Sequence, residues 1–394
     1  MRRPSPLRAL RPPVLFCLSL TTCWGCANDA EQVLVEFLTV KQALVVNQNS
    51  NNVSAVDLKS GAVTPNFGGL AIGPTANRVV VRGARAYVVN SGAFPGSTGA
   101  GVEVVELANN QVVNTIPFSD GENPWAIAFV SDAKAYVTTL YGNNVTVLDP
   151  RVNGAAAILK TIALPVFTGP NGPVPAGPEG IVVAGGYAYT TNTAWDSVGF
   201  SYLPGSVSII DTAADLLVDA DADAANGTDT PVFTSRINPQ DLDVDGEGRI
   251  HVVCTGDYFS QFGVMDAIDP VTWAVASSVP LGGSPGNVSI LGGWALVGAG
   301  DADSGDLYVV RTDTGQVVHD STNPLTLMAT SGWCTVGKIS FGADLEGLKA
   351  YAPAGSLGAE ARLFELTFDP TAQQARAFDL APGANMPAAV GLVY

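Results

Sequence analysis

Short apolar runs, rather than helical stripes, organise this chain. From residue 43 onward the hydrophobic positions come in brief pieces rich in Val, Ile, Tyr and Thr, divided by Gly, Pro, Asn and Asp. That is the pattern of strands and turns. One piece recurs: a small or apolar residue, then an aromatic or apolar one, then Val or Thr. Its copies begin at Ala43-Leu44-Val45, Ala86-Tyr87-Val88, Ala135-Tyr136-Val137, Ala188-Tyr189-Thr190, Ile250-His251-Val252, Ala295-Leu296-Val297 and Ala350-Tyr351-Ala352. Successive starts lie 43, 49, 53, 62, 45 and 55 residues apart. Four-stranded propeller blades repeat every ~40–50 residues, so the longer intervals predict loop insertions.

The context of each copy repeats too. Before it comes a strand opened by Pro, as in Asn123-Pro124-Trp125, Gly177-Pro178-Glu179, Asn238-Pro239-Gln240 and Ser284-Pro285-Gly286. After it comes a strand ending near Asp, such as Val145-Thr146-Val147-Leu148-Asp149 or Val207-Ser208-Ile209-Ile210-Asp211. This unit resembles the YVTN repeat of bacterial and archaeal propellers, best at Tyr136-Val137-Thr138, Tyr189-Thr190-Thr191-Asn192 and Ser208-Ile209-Ile210-Asp211. The resemblance covers about residues 41–394 and implies an all-β, seven-bladed β-propeller. The final Met386-Pro387-Ala388-Ala389-Val390 has the Pro-led inner-strand pattern, whereas the N-terminal side starts at a second strand. The C-terminal strand is therefore expected to close the ring, which removes exposed sheet edges.

The leader reads as an export signal. Arg2, Arg3, Arg8 and Arg11 precede a short apolar run, Val14–Leu20, too short to span a bilayer. Leu20-Thr21-Thr22-Cys23 then resembles the lipobox of bacterial lipoproteins, although Thr22 stands where that family has Gly, Ala or Ser. The resemblance implies lipidation at Cys23, with Cys26 as the alternative. The expected layout is a signal peptide over 1–22, a tether over 23–40 and the propeller over 41–394. It would place a monomer in the bacterial cell envelope, the outer membrane foremost, touching the membrane only through its lipid.

Charge narrows the partners. The net charge is −17, and without the four leader arginines 15 basic residues face 36 acidic ones. Such a field repels phosphate backbones, so nucleic acid is not expected as a partner. Only Cys254 and Cys334 lie in the propeller. In an oxidising compartment they could form a disulfide or remain as two buried thiols.

Chemistry in a propeller gathers where inner strands begin and where second-to-third-strand and inter-blade loops meet. Long loops on that face carry Phe94, Trp195, Phe200, Tyr202, Tyr258, Phe259 and Phe262, with Trp125 and Trp333 beside inter-blade connections. Aromatic loops on a rigid scaffold suit recognition, the alternative being that they fold inward over the blades. Glu179, Asp241 and Asn287 fall near inner-strand starts, where their oxygens could hold calcium or another divalent cation. In this respect the chain resembles lactonases of the gluconolactonase type, though the surrounding motifs do not match. Asp219-Ala220-Asp221-Ala222-Asp223 has the opening spacing of an EF-hand, but Ala224 replaces the required Gly and Thr230 the final Glu. A solvated loop is expected there. No nucleophile elbow, P-loop or dinucleotide fingerprint occurs. The expectation is thus an envelope binding or scaffold module for a protein or glycan, with a metal-assisted lactonase-type hydrolase as the alternative.

Overall fold

The computed structural model describes residues 40–394, except 222, 224–226, 228, 331, 345–346, 357–359, 368–372 and 381–384. It is a β-propeller of seven antiparallel blades. The inner strands run, in ring order, through Pro387–Val393, Ala76–Arg82, Pro124–Ser131, Pro178–Ala184, Pro239–Val244, Pro285–Leu291 and a last one split into Cys334–Val336 and Ser340–Asp344. We number the blades 1 to 7 in that order. Blade 1 is the closure: Pro387–Val393 pairs antiparallel with Gln42–Asn47, which pairs with Asn52–Asp57. The ring is also joined across blades 7 and 1, where Lys338 forms a parallel bridge with Ala389.

The core is not central. It consists of seven apolar clusters, each shared by two successive blades. Alternation along the second strand produces this. Ala86 and Val88 pack toward blade 1, whereas Tyr87 and Val89 pack toward blade 3. Likewise Ala135 faces back and Tyr136 forward, and Ala350 faces back and Tyr351 forward. Both faces of the strand are buried, so the repeat reads as continuously apolar instead of alternating. The small–large pair is the shape of one wedge: a methyl toward the preceding blade, a ring toward the next.

Insertions sit where the long intervals predict them. In blade 4 the outermost strand is broken into Leu216–Val218 and Val232–Phe233, and in blade 6 into Val317–His319 and Leu325–Ala329. Two segments expected as plain loops contain small hairpins: Val166–Gly169 with Gly172–Pro175, and Trp195–Asp196 with Ser201–Tyr202. Backbone pairing within a long connection satisfies groups that a bare loop would leave to water.

Cys254 and Cys334 are both buried and free, which excludes the bridge considered above. Cys254 packs between blades 4 and 5 and Cys334 between blades 6 and 7, so a blade and its core separate them. Burial pushes the Cys334 thiol up to about 11 and the Cys254 thiol higher still. Cys23, Cys26 and the leader lie outside the described residues.

Candidate functional site: the channel mouth

Each inner strand starts with a deliberate irregularity. The residue before it adopts a left-handed backbone in five blades: Thr75 (φ 60), Asn123 (φ 54), Gly177 (φ 66), Asn238 (φ 58) and Met386 (φ 48). Asn and Gly tolerate that region best, which explains the Asn-Pro and Gly-Pro pairs in the sequence. Immediately afterwards the register with the second strand slips, as between Ala76 and Arg78, Pro239 and Asp241, or Pro285 and Asn287. These are β-bulges, which add a residue and re-aim side chains at a rim.

The bulges produce two stacked rings around the channel. The residue following the Pro position forms the upper ring: Ala388, Asn77, Trp125, Glu179, Gln240, Gly286 and Gly337. All seven line one cavity of about 240 Å³ at the mouth. The next residue forms the lower ring: Ala389, Arg78, Ala126, Gly180, Asp241, Asn287 and Lys338. Glu179 directly follows its Pro, whereas Asp241 and Asn287 stand one residue further on; Asn287 still lines the mouth with Glu179, and Asp241 lines the cavity below it.

The lower ring carries its own cations. Arg78 donates from Nη2 to Asp241 Oδ1 at 3.2 Å and from Nη1 to Asn287 Oδ1 at 3.1 Å. Lys338 Nζ donates to Asp241 Oδ2 at 2.7 Å and to the Val288 carbonyl. The Val288 amide also donates to Asp241 Oδ2, at 3.1 Å. The oxygens expected to face a divalent ion thus face a guanidinium and an ammonium instead. Among the described residues no group of three His, Cys, Asp or Glu side chains is placed to hold a metal. Of the three side chains expected to face a divalent ion, Asp241 and Asn287 are thus engaged by Arg78 and Lys338, and a buried carboxylate paired in this way is compensated for the loss of water. Below this bridge lies a second cavity, of about 320 Å³, walled by aliphatic residues such as Val79, Ile127, Ile181 and Val390. Arg78 borders both cavities, so the bridge is the floor of the mouth.

Glu179 has a different environment. It keeps part of its surface open to the mouth, yet burial pushes its carboxyl up to about 8, with Arg78 opposing and Asp241 reinforcing the shift. Its charge is felt in turn by Tyr202 and Tyr258, whose hydroxyls burial already holds above the usual phenol range.

Aromatic residues rim the mouth. Trp125, Tyr258 and Trp333 line the same cavity as Glu179, and the Tyr258 and Trp333 rings meet edge to face with centroids 6.4 Å apart. Gln240 Nε2 donates to the Tyr258 hydroxyl at 3.0 Å. Beside them on the blade 4 hairpin, Trp195 packs tilted against Tyr202 (4.6 Å) and edge to face against Phe200 (6.3 Å). Phe94 and Phe259 are each 87% exposed at loop tips. The aromatics therefore do not fold inward as a group. They divide into three at the mouth, three clustered on the blade 4 hairpin, two bare tips and the exposed Phe262.

Two carboxylates that the sequence reading passed over hold these loops. Asp257 accepts from the Ser260 hydroxyl at 2.6 Å and from the amides of Phe259, Ser260 and Gln261 at 2.9, 2.7 and 2.8 Å, which together keep its carboxyl well below the usual range. Asp196 accepts from the amides of Val198 and Gly199 and from Asn171. The signal was an Asp followed two or three residues later by the loop tip. Arg78 and Lys338 were missed because their strands lack the opening Pro. Aligning Asn77-Arg78 and Gly337-Lys338 with Gln240-Asp241 would have found them.

No family model and no curated protein matches this sequence. Solved structures do resemble it. A functionally unknown protein from Desulfotomaculum acetoxidans aligns with a TM-score of 0.58 at 12% identity, covering 89% of this chain and 98% of that one. Hydrazine synthase of Kuenenia stuttgartiensis aligns with a TM-score of 0.54 at 17% identity over 74% of this chain and 76% of its own. A streptogramin B lyase aligns with a TM-score of 0.50 at 11% identity, over 79% and 86%. At these identities the likeness is one of fold, a propeller scaffold on which functions differ.

Proposed function

We propose that this chain is an envelope binding or scaffold module: a propeller of the YVTN type, exported, held by a lipid on Cys23 or Cys26, and working as a monomer. The channel mouth receives its partner, a protein or a glycan. The observation that carries this reading is the mouth itself, where Trp125, Tyr258 and Trp333 line one cavity together with the polar side chains of Glu179, Gln240 and Asn77. Exposed aromatic rings beside a few fixed polar groups are what recognition sites use. The metal-assisted hydrolase has less behind it, since Asp241 and Asn287 are engaged by Arg78. Affinity capture from envelope extracts tests the reading. Wild-type protein should retain partners that a Trp125→Ala/Trp333→Ala variant of unchanged fold does not. Retention of the same set by both would contradict it.

A further inference from the structure

The reading of the mouth as the binding surface can be taken one step further, to the chemistry of what it binds. Two cations and three carboxylates meet along the channel. Arg78 and Lys338 are both bonded to Asp241. Asp243, one turn of the pleat below, accepts from the Ile290 amide and is influenced by Lys338. Glu179 is the third carboxyl, and among the described residues no side-chain cation is bonded to it. Glu179 lines the open mouth, whereas Asp241 and its two cations close the floor beneath it.

We propose that the mouth binds an organic cation, an ammonium head seated among Trp125, Tyr258 and Trp333 and facing the Glu179 carboxylate. Aromatic faces attract alkylated ammonium groups through their quadrupoles, most strongly when the site is shielded from water. A desolvated carboxylate supplies the complementary charge. A cavity of about 240 Å³ admits the head and the carbons attached to it. An anion would find neither cation free here, because Arg78 and Lys338 are committed within the floor. The net charge of −17 also favours cations approaching the surface. The ammonium could belong to a small molecule or to a lysine side chain of a partner, and both carry the same chemistry.

Protonation adds a signature. Glu179 is faced by Arg78 and Asp241 across the channel and by Tyr202 and Tyr258 from the loops above, with Lys338 and Asp243 deeper. Its carboxyl titrates at about 8, so at pH 7 it is mostly protonated. A bound cation favours the ionised form, and a proton must leave as the ligand arrives.

Calorimetric titration of the full chain tests the proposal. The probes are choline, n-butylammonium, a blocked lysine amide and, as a neutral comparison, methyl glucoside. At pH 7 the ammonium probes should bind with heats that differ between phosphate and Tris, reporting proton release, and the difference should vanish at pH 9. Preference for choline over the lysine amide points to a small quaternary ligand, and the reverse to a lysine side chain. Glu179→Gln should lose about 10-fold or more in affinity together with the buffer dependence, and Trp333→Ala about 10-fold, as expected for a cation–π contact. No heat from any ammonium probe overturns the proposal. So does methyl glucoside binding as tightly as choline with Glu179→Gln unchanged, although the mouth would then still be a binding surface. The wild-type pH series decides the matter even where a variant folds poorly. The broader reading fails only if the capture experiment above is unaffected by the mouth variants.

Discussion

Glu179 shows how a single side chain can set local stability against availability. Its carboxyl is raised from the ordinary range to about 8 by burial, so the folded protein holds a proton that the unfolded chain has released. The stabilisation from holding it is complete below the unfolded value, near 4.3, and is lost as pH rises through about 8. Wild-type stability should therefore decline between pH 5 and pH 8. In Glu179→Gln, urea unfolding should show a flatter profile and a higher midpoint at pH 8. An unchanged slope would place the cause elsewhere. His251 contributes in the opposite sense. Burial lowers its imidazole despite the 2.9 Å contact with Asp245, so its contribution is present above the unfolded value and lost as pH falls. His251 stands where other blades carry Tyr, and its partners are structural: Asp245 also binds Arg249, which donates to the Thr312 carbonyl of blade 6.

At the scale of the element, the second strand is the most legible part of the sequence. Its small–large pair appears in six of the seven copies, Ile250-His251 being the exception, because each position faces a different neighbour across a narrow wedge. Ala135 is wholly buried against blade 2, so Ala135→Leu should overpack that wedge and cost about 1–3 kcal/mol, measurable by urea unfolding. Tyr141, by contrast, is exposed, and Tyr141→Ser should leave stability within about 0.5 kcal/mol. The strand's hydroxyls also tie blades together. Thr138 Oγ1 donates to the Glu179 carbonyl at 2.7 Å, Thr191 Oγ1 to that of Gln240 at 3.2 Å, and Thr255 Oγ1 to that of Pro285 at 2.6 Å. The first two bonds fix Glu179 and Gln240 of the upper ring relative to the blade before each, and Thr255, just past its strand, holds the Pro that opens the next inner strand. Periodicity revealed the strands but not the bulges, because a bulge shifts side chains by one residue without changing composition. The one-residue offset between Glu179 and the pair Asp241 and Asn287 is written in the sequence, but the cavity each side chain lines is not. The bridge from Arg78 to Asp241 joins blades 2 and 5 across the channel, and no local pattern encodes a contact between residues 163 positions apart.

For the whole molecule, closure is the controlling feature. Blade 1 draws its inner strand from residues 387–393 and its others from residues 42–64. The sequence disclosed this through one Pro-led motif at the C-terminus, since only a ring needs that motif there. Removing residues 387–394 would strip the inner strand from blade 1 and leave Leu44 and Val46 open to water. The truncated chain should aggregate or lose its cooperative unfolding transition, as read by size-exclusion chromatography and thermal melts; a monomeric, two-state product would contradict the closure. Closure also makes the mouth rigid, because all seven blades contribute to its rim. Hydroxyl-radical footprinting of the chain saturated with envelope extract tests most directly that this rim is where the protein works. Trp125, Tyr258 and Trp333 should lose reactivity, while Val271 and Leu291, exposed on the opposite face, keep theirs. Undiminished oxidation of the three mouth aromatics, or protection confined to the far face, would contradict the account.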